Sequence, residues 1–484
     1  MISLKLNYKI LLVSILTIAL HSCSTPWEDR QNNGDDNLSV SLGEAISNTN
    51  EVSLFGALLV QTGYDKVLAS SKSYTVFAPT NEAIYLLDKS ILNDSKALSI
   101  FVSNHIAITA YSSVREKASQ KILMLSGKYL EFKGTSLIGD ATIVTPDKYA
   151  ANGVFHIVSK ALSPKNNIWQ YIKGLSSTSV MSKYLLSLTE LNIYRADSIA
   201  KLTAVPGALS DSLTNSYLRN VYNLNNEKNS YTLFLMEDVD YTAEVDKLKP
   251  YLIKSNATRT TTYSSYFTTR DLVFPKAYLP NELPAVLTSR FGINVPIDKT
   301  QIVGDPIILS NGIVYRIKKV DVPLANRLVT TKIEGESNFG FSPTNLRSKI
   351  FYRDKKDPFG IDFKDIMVQN SGVSLFTLNY SAINLYSTTY KVYWRAINDV
   401  QTNVFQQSLR IGGVFQPDGT LTGIIKTFAY TNVGVGVYNE FYLGDFTMNQ
   451  AGNIDLISLI AANTNVNGNN SLTLDYLKFV PVIK

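Results

Sequence analysis

Apolar and polar positions alternate through Tyr74, Val76 and Ala78 and then meet Pro79, which has no backbone hydrogen to give to a ladder. Thr80-Asn81 follows as a cap ahead of the helix-like Glu82 to Leu87, so a buried strand hands over to a helix. Upstream, Ser41-Leu42-Gly43-Glu44 has capping-box spacing, and Leu54, Leu58 and Leu59 recur at helical intervals behind it. Ser95 to Ile108 carries Leu98, Phe101, Val102 and His105 at helical spacing, and Lys121 to Val144 breaks into short strands at Gly127, Gly134 and Gly139. Asn152-Gly153 reads as a tight turn whose residues tolerate positive φ, leading into a strand from Val154 to Val158. Helices first and strands after describe an α+β unit.

The pattern then repeats. Ser230-Tyr231-Thr232-Leu233-Phe234-Leu235 rereads the first strand and Ser310-Asn311-Gly312-Ile313-Val314 rereads the closing one, both displaced by roughly 160 residues, which marks a duplicated unit. The second copy opens at Asn166, with Ile168, Trp169 and Ile172 and then Val180, Tyr184, Leu185 and Leu188 at helical spacing. It departs from the first at Met236-Glu237-Asp238, in place of Pro79-Thr80-Asn81, and at Tyr315, in place of His156. Leu209 to Asn229 reads as a polar insertion and Thr258 to Thr269 as a loop. Beyond Pro323 helical periodicity ends and strands follow one another: Ser374 to Asn379, Tyr390 to Ala396, Ser408 to Ile411, Glu440 to Met448, Asn453 to Leu459 and Ser471 to Val480. That pattern predicts an antiparallel sandwich, with joints near Pro164 and Pro323 open to limited proteolysis.

Ser73 to Ile84 and Ala151 to Val158, with Asn104-His105-Ile106 between them, resemble the signature segments of the fasciclin (FAS1) domain. That resemblance implies adhesion to proteins or matrix glycans. Tyr390 to Ala396 and Leu472 to Val482 look like strands of galactose-binding-like jelly-roll modules, a group that includes many carbohydrate-binding modules, and so imply carbohydrate recognition. The predicted architecture is multidomain: a signal peptide (1-22), a flexible tether (23-37), fasciclin-like α+β domains over 38-165 and 166-325, the second divergent, and an all-β jelly-roll-like sandwich over 330-484.

Composition refines this picture in three places. A net charge of +6 without a dense Lys or Arg run argues against nucleic acid as a partner. Lys5 and Lys9, the apolar Ile10 to Leu20 and then Leu20-His21-Ser22-Cys23 read as an export signal, and its ending on the sole cysteine resembles the lipobox of bacterial lipoproteins. That resemblance implies a lipid-anchored chain at Cys23; Trp27-Glu28-Asp29 resembles a surface-export signal, so the expected location is the outer membrane, at the cell surface. With no second cysteine, no disulfide framework can form within the chain.

Of three histidines, His21 lies in the signal, and His105 and His156 sit in fasciclin signature segments, where they read as structural. His-Glu-x-x-His, Gly-x-Ser-x-Gly and phosphate-loop motifs are missing, so no enzyme, cofactor or metal site is expected. Asp354, Asp357, Asp362 and Asp365 around Pro358-Phe359-Gly360 read as a solvated loop rather than a glycosidase pair, and the acid-free Asn463 to Ser471 as a loop rather than a calcium site. Asp197-Ser198-Ile199 and Asp211-Ser212-Leu213 resemble a bacterial O-glycosylation sequon. Sugar binding asks for exposed aromatic faces. The candidates are Tyr430 and Tyr438, which flank the Gly-rich Thr431 to Val437, and Trp394, whose phase with Tyr390, Val392 and Ala396 favours the core. Function therefore divides between a non-enzymatic surface protein that captures polysaccharide and a fasciclin-type adhesin that binds a protein or matrix partner, with a hydrolase third.

Overall fold

The structure is a computed structural model that describes residues 36–484 apart from 71, 114–118, 190–213, 370 and 463–470. Cys23, most of the tether and both sequon-like triplets lie outside the described residues.

The first unit is built on a parallel pair, Tyr74–Pro79 beside Gly153–Val158, in which every residue is buried. Ile106–Ala107 pairs antiparallel to the first of these strands and Ala141–Ala150 to the second, and the short Gly-separated strands extend the sheet to seven. Helices Leu42–Ser47, Ser53–Thr62 and Ser95–Ser103 cover one face, packing Leu42, Phe55, Leu59 and Phe101 with Val76, Phe155 and Ile157. Thr80 caps the helix after Pro79 as predicted, its hydroxyl accepting from Ala83 N at 3.3 Å.

The tight turn forms, as a two-residue hairpin with Ala150 paired to Gly153, but without the positive φ expected of it. Gly153 does not adopt a left-handed backbone; glycine is required because a Cβ there would lie 2.4 Å from the carbonyl oxygen of Tyr74 on the neighbouring parallel strand. Asn152 is a tie: its Oδ1 accepts from Leu42 N at 2.9 Å and its Nδ2 donates to Ser70 O at 3.1 Å, which fixes the first helix to the sheet.

The second unit repeats several of these contacts on a smaller, four-stranded sheet. Its sheet runs Ile307–Leu309, Gly312–Ile317, Tyr231–Met236, Val273–Phe274, again with the central pair parallel. Asn311 takes the place of Asn152, accepting from Ile168 N at 2.9 Å and donating to Leu224 O at 2.8 Å. Thr232 takes the place of Thr75, each hydroxyl donating across the sheet (Lys276 O 2.7 Å, Thr109 O 2.8 Å) and accepting from a backbone N–H two residues on (Tyr278 2.9 Å, Tyr111 2.7 Å). His156 stacks on Phe77 at 5.2 Å and its Nε2 donates to Tyr111 O; Tyr315 stacks on Phe234 at 5.6 Å and its Oη donates to Tyr278 O. The exchange of histidine for tyrosine thus keeps both the stack and the hydrogen bond.

Two sequence expectations for this unit are overturned. Thr258 to Thr269 is not a loop: helix Ala257–Thr269 runs through it, capped by Asn256, with Thr268 and Thr269 buried and their hydroxyls donating to the carbonyls of Ser264 and Ser265. Hydroxyl side chains that bond back to their own helix can be buried without an apolar stripe to announce them. The supposed polar insertion holds helix Ser216–Asn220, whose Tyr217 and Leu218, with Val221 and Leu224 after it, enter the core.

The C-terminal region is a β-sandwich. One sheet runs Thr331–Glu334, Tyr476–Pro481, Thr389–Arg395, Phe441–Thr447. The larger sheet runs Gly340–Ser342, Thr377–Leu385, Gly452–Ala461, Phe405–Phe415, Leu421–Thr427, with Thr431–Val433 also paired to Phe405–Phe415. A three-stranded sheet, Ile350–Lys356, Asp362–Val368 and Leu472–Leu474, flanks them. Tyr390, Trp394, Phe446, Phe479, Phe405 and Leu459 fill the space between.

Pro323 does not open a loose joint. It is followed directly by helix Leu324–Arg327, and Leu248, Tyr251 and Leu252 of the second unit pack within the sandwich core. Backbone bonds stitch the two: Ser387 N donates to Tyr251 O and Ala451 N to Ile253 O, each at 2.8 Å. Proteolysis at Pro323 is therefore disfavoured by the hydrogen bonding of its surroundings.

Candidate functional site

The three sequence-predicted aromatic residues do not meet in one place. Trp394 is 2% exposed and lies in the sandwich core with Tyr390 and Val392, so the structure contradicts a sugar-stacking role for it. Tyr430, 42% exposed, lies beside the larger sheet, its Oη donating to Ala461 O at 3.4 Å. Tyr438 lies by the other sheet, half-buried, its ring edge-on to Phe363 at 6.3 Å and its carbonyl accepting from Arg395 Nε at 2.8 Å.

What the outer face of the four-stranded sheet does assemble is an aromatic surface. Side chains alternate along a strand, so burying Val392 and Trp394 turns Tyr393 and Arg395 outward. Tyr393 meets Tyr442 of the next strand at 5.2 Å, and Lys478 of the strand on its other side lies 4.8 Å from its ring. Lys332 sits 4.0 Å over Tyr476, and Tyr476 Oη donates to Glu440 at 2.7 Å, which also pairs with Lys478. Tyr442 is 46% exposed and Phe441 49%.

The surface runs into an open groove of about 610 Å³ lined by Lys332, Glu334, Glu336, Phe363, Arg395 and Tyr476, among others. Arg395 is fixed there by Asp475 at 2.5 Å and Asp357 at 3.2 Å, with its guanidinium 4.8 Å from the Phe363 ring. Burial pushes the Asp475 carboxyl up, while the Arg395 guanidinium works against it. Aromatic faces beside fixed donors and acceptors suit a ring with one apolar face and hydroxyls at its edge.

The aspartate cluster is corrected in the same region. Asp354 and Asp362 are exposed, but Asp357 (8%) and Asp365 (0%) are buried. Asp365 accepts from Arg353 Nε at 2.7 Å, and Arg353 also pairs with Asp399 at 2.9 Å. Each buried carboxylate shares an arginine, which is an ion-pair scaffold for the hairpin rather than a free acid and base. The two histidines are structural as predicted: His105 donates from Nδ1 to Phe101 O at 2.9 Å and accepts at Nε2 from Leu162 N at 2.8 Å, and burial holds it neutral by pulling its pKa down to about 4. Burial also lowers the pKa of His156. Among the described residues no group of His, Cys, Asp or Glu could hold a metal ion, and no helix is long and apolar enough to cross a membrane.

Known proteins bear on the first unit directly. Residues 50–164 match the model of the fasciclin domain, so the chain carries that domain. "Protein sll1483" of Synechocystis sp. is 26% identical over 107 residues, covering 20% of this chain and 59% of the relative. "Transforming growth factor-beta-induced protein ig-h3" of Sus scrofa is 27% identical over 131 residues, 26% of this chain and 19% of the relative. The chain thus spans less than two thirds of either curated relative. Among solved structures, a FAS1 domain pair from the insect cell adhesion molecule Fasciclin I is 15% identical with a TM-score of 0.23, covering 56% of this chain and 96% of that one. The CBM36-1 domain of a multidomain xylanase from the hindgut metagenome of Trinervitermes trinervoides is 18% identical with a TM-score of 0.21, covering 32% of this chain and 100% of that one.

Proposed function

We propose that this chain is a non-enzymatic, lipid-anchored protein of the outer-membrane surface, in which a fasciclin domain and a divergent second fasciclin unit carry a sandwich that binds polysaccharide. The observation that carries the binding reading is the outward row of Tyr393, Tyr442 and Tyr476 running into the Arg395 groove. The repeated Asn152/Asn311 and Thr75/Thr232 bonds support the second fasciclin unit. Pairing of the buried carboxylates with arginines supports binding over catalysis.

Affinity electrophoresis of the full chain through gels holding a panel of soluble polysaccharides tests this. At least one polysaccharide should retard the chain, and Tyr442→Ala should weaken that retardation about fivefold to tenfold, the worth of one aromatic contact. The unfolding midpoint should stay near the wild-type value, since Tyr442 is half exposed. A chain that no polysaccharide retards, yet that adheres to a protein-coated surface, would leave the adhesin reading in its place. For the anchor, Cys23→Ala should move the protein from the membrane fraction to the soluble one. Continued membrane association, with no labelled acyl chain on the wild type, would remove that part of the proposal.

A further inference from the structure

The sandwich has three arginines that are not fully exposed: Arg353, Arg395 and Arg410. The first two are held by carboxylates, Arg353 by Asp365 and Asp399, and Arg395 by Asp475 and Asp357. Arg410 differs. It is half-buried on Phe405–Phe415; among the described residues its Nε is shielded from solvent with no hydrogen-bond partner, and its hydrogen bond runs from Nη2 to Ser458 Oγ at a long 3.5 Å. Residues 463–470, which follow the neighbouring strand in sequence, contain no Asp or Glu that could serve it.

Register places Asn379, Ser458, Arg410 and Thr427 side by side on four adjacent strands, so one polar row crosses the larger sheet on the face turned away from the core. Ser458 Oγ donates to Asn379 Oδ1 at 3.0 Å, and Gln406 donates to Asn432 at 2.9 Å one step along. Tyr430 is 42% exposed, and its Oη donates at 3.4 Å to the carbonyl of Ala461, on the strand that pairs with the one carrying Arg410. Burial draws the Arg410 guanidinium below the usual arginine range.

We infer that Arg410 and Tyr430 form a second sugar site, on the outer face of the larger sheet, which takes an acidic group: the carboxylate or sulfate of an anionic polysaccharide. This rests on the reading that the sandwich binds glycans, but not on the Tyr393–Tyr442 surface. A desolvated cation is costly without a counter-charge, and neither Ser458 nor Tyr430 supplies one at neutral pH. A guanidinium presents its donors as a planar fork that matches a carboxylate or sulfate edge, which an ammonium does not. The exposed Tyr430 ring supplies the face on which the sugar carrying that group can lie.

The test uses the full chain and two matched pairs of polymers, polygalacturonate with its carboxyl-reduced form, and dextran sulfate with dextran, at about 0.15 M ionic strength so that diffuse attraction is screened. Wild type should be retarded by a charged member of a pair at least roughly tenfold more than by its neutral partner, and Arg410→Gln should lose that preference. Retention by polygalacturonate alone assigns a carboxylate; retention by dextran sulfate alone assigns a sulfate. Arg410→Lys should recover only part of it, and Lys356→Gln, which removes an exposed charge from the Ile350–Lys356 strand, should keep all of it. Because no carboxylate among the described residues pairs with Arg410, Arg410→Gln should leave the unfolding midpoint unchanged or raise it. Tyr442→Ala should keep the preference for the charged polymer, which separates this site from the aromatic surface. Wild-type binding by Arg410→Gln, equal binding of both members of each pair, or a marked fall in the midpoint of Arg410→Gln would each overturn the inference.

Discussion

Arg327→Leu should destabilise the second unit and the sandwich together, by about 3–5 kcal/mol. Arg327 is 3% exposed and stands between Glu244 (5%) at 3.2 Å and Asp271 (1%) at 3.1 Å, while its Nη1 also donates to Phe267 O at 2.6 Å. The leucine would remove the cation that the two buried carboxylates share, leaving Glu244 with Lys247 at 3.2 Å and Asp271 with Arg270 at 3.9 Å. Burial already pushes the Asp271 carboxyl up, against the pull of Arg327 and Arg270, so removing Arg327 should raise it further. A carboxyl whose folded pKa lies above its unfolded value gains stability as pH falls, because the folded state then binds the extra proton. The deficit of the variant should therefore be largest near neutrality and shrink as pH drops through the carboxylate range. Tyr386 of the sandwich donates to Arg327 O at 2.8 Å, and Tyr251 packs in the sandwich core with its Oη accepting from Lys484 N at 2.7 Å. Denaturant unfolding of the full chain, followed at pH 7 and in mild acid, checks this. An unchanged transition, or one that shifts the sandwich signal alone, would contradict the ion cluster as a shared keystone.

Trp394→Ala should cost about 3–5 kcal/mol, the usual loss for truncating a buried large aromatic. Trp394 lies opposite Leu477 and Phe441 on its two neighbouring strands and is fully enclosed. Thermal unfolding reads the loss directly. At a temperature where the variant remains folded, its affinity for any polysaccharide that wild type binds should be close to normal. A stable variant with abolished binding would instead restore Trp394 to the surface role that its burial denies it.

The period-2 and period-3.6 patterns made the duplicated strands, the opening helices and the C-terminal strands legible, since each is a local property of a few consecutive residues. The phase of Trp394 against Tyr390 and Val392 already pointed inward. What stayed hidden was whatever depends on neighbours across strands. Tyr393, Tyr442 and Tyr476 become one surface only through the order of the four-stranded sheet, and nothing in their spacing along the chain announces it. Tyr430 and Tyr438 part for the converse reason: the Gly-rich segment between them leaves the larger sheet at Thr431–Val433 and reaches the other sheet at Phe441–Thr447, so closeness in sequence became separation in space. Helix Ala257–Thr269 was missed because its buried side is made of Ser and Thr. Asn152 and Asn311 were seen only as turn formers; they do stand in hairpin turns, and their amides also tie a helix to a sheet.

The central claim is that the outer face of the four-stranded sheet holds the sugar. Hydroxyl-radical footprinting of the full chain, with and without the polysaccharide that retards it most, tests that claim most directly. Tyr393, Tyr442 and Tyr476 should lose reactivity on binding while the exposed Tyr85 of the first unit keeps its own. Unchanged reactivity at all three of these tyrosines, with protection confined to the fasciclin domain, would place the ligand elsewhere and contradict the account.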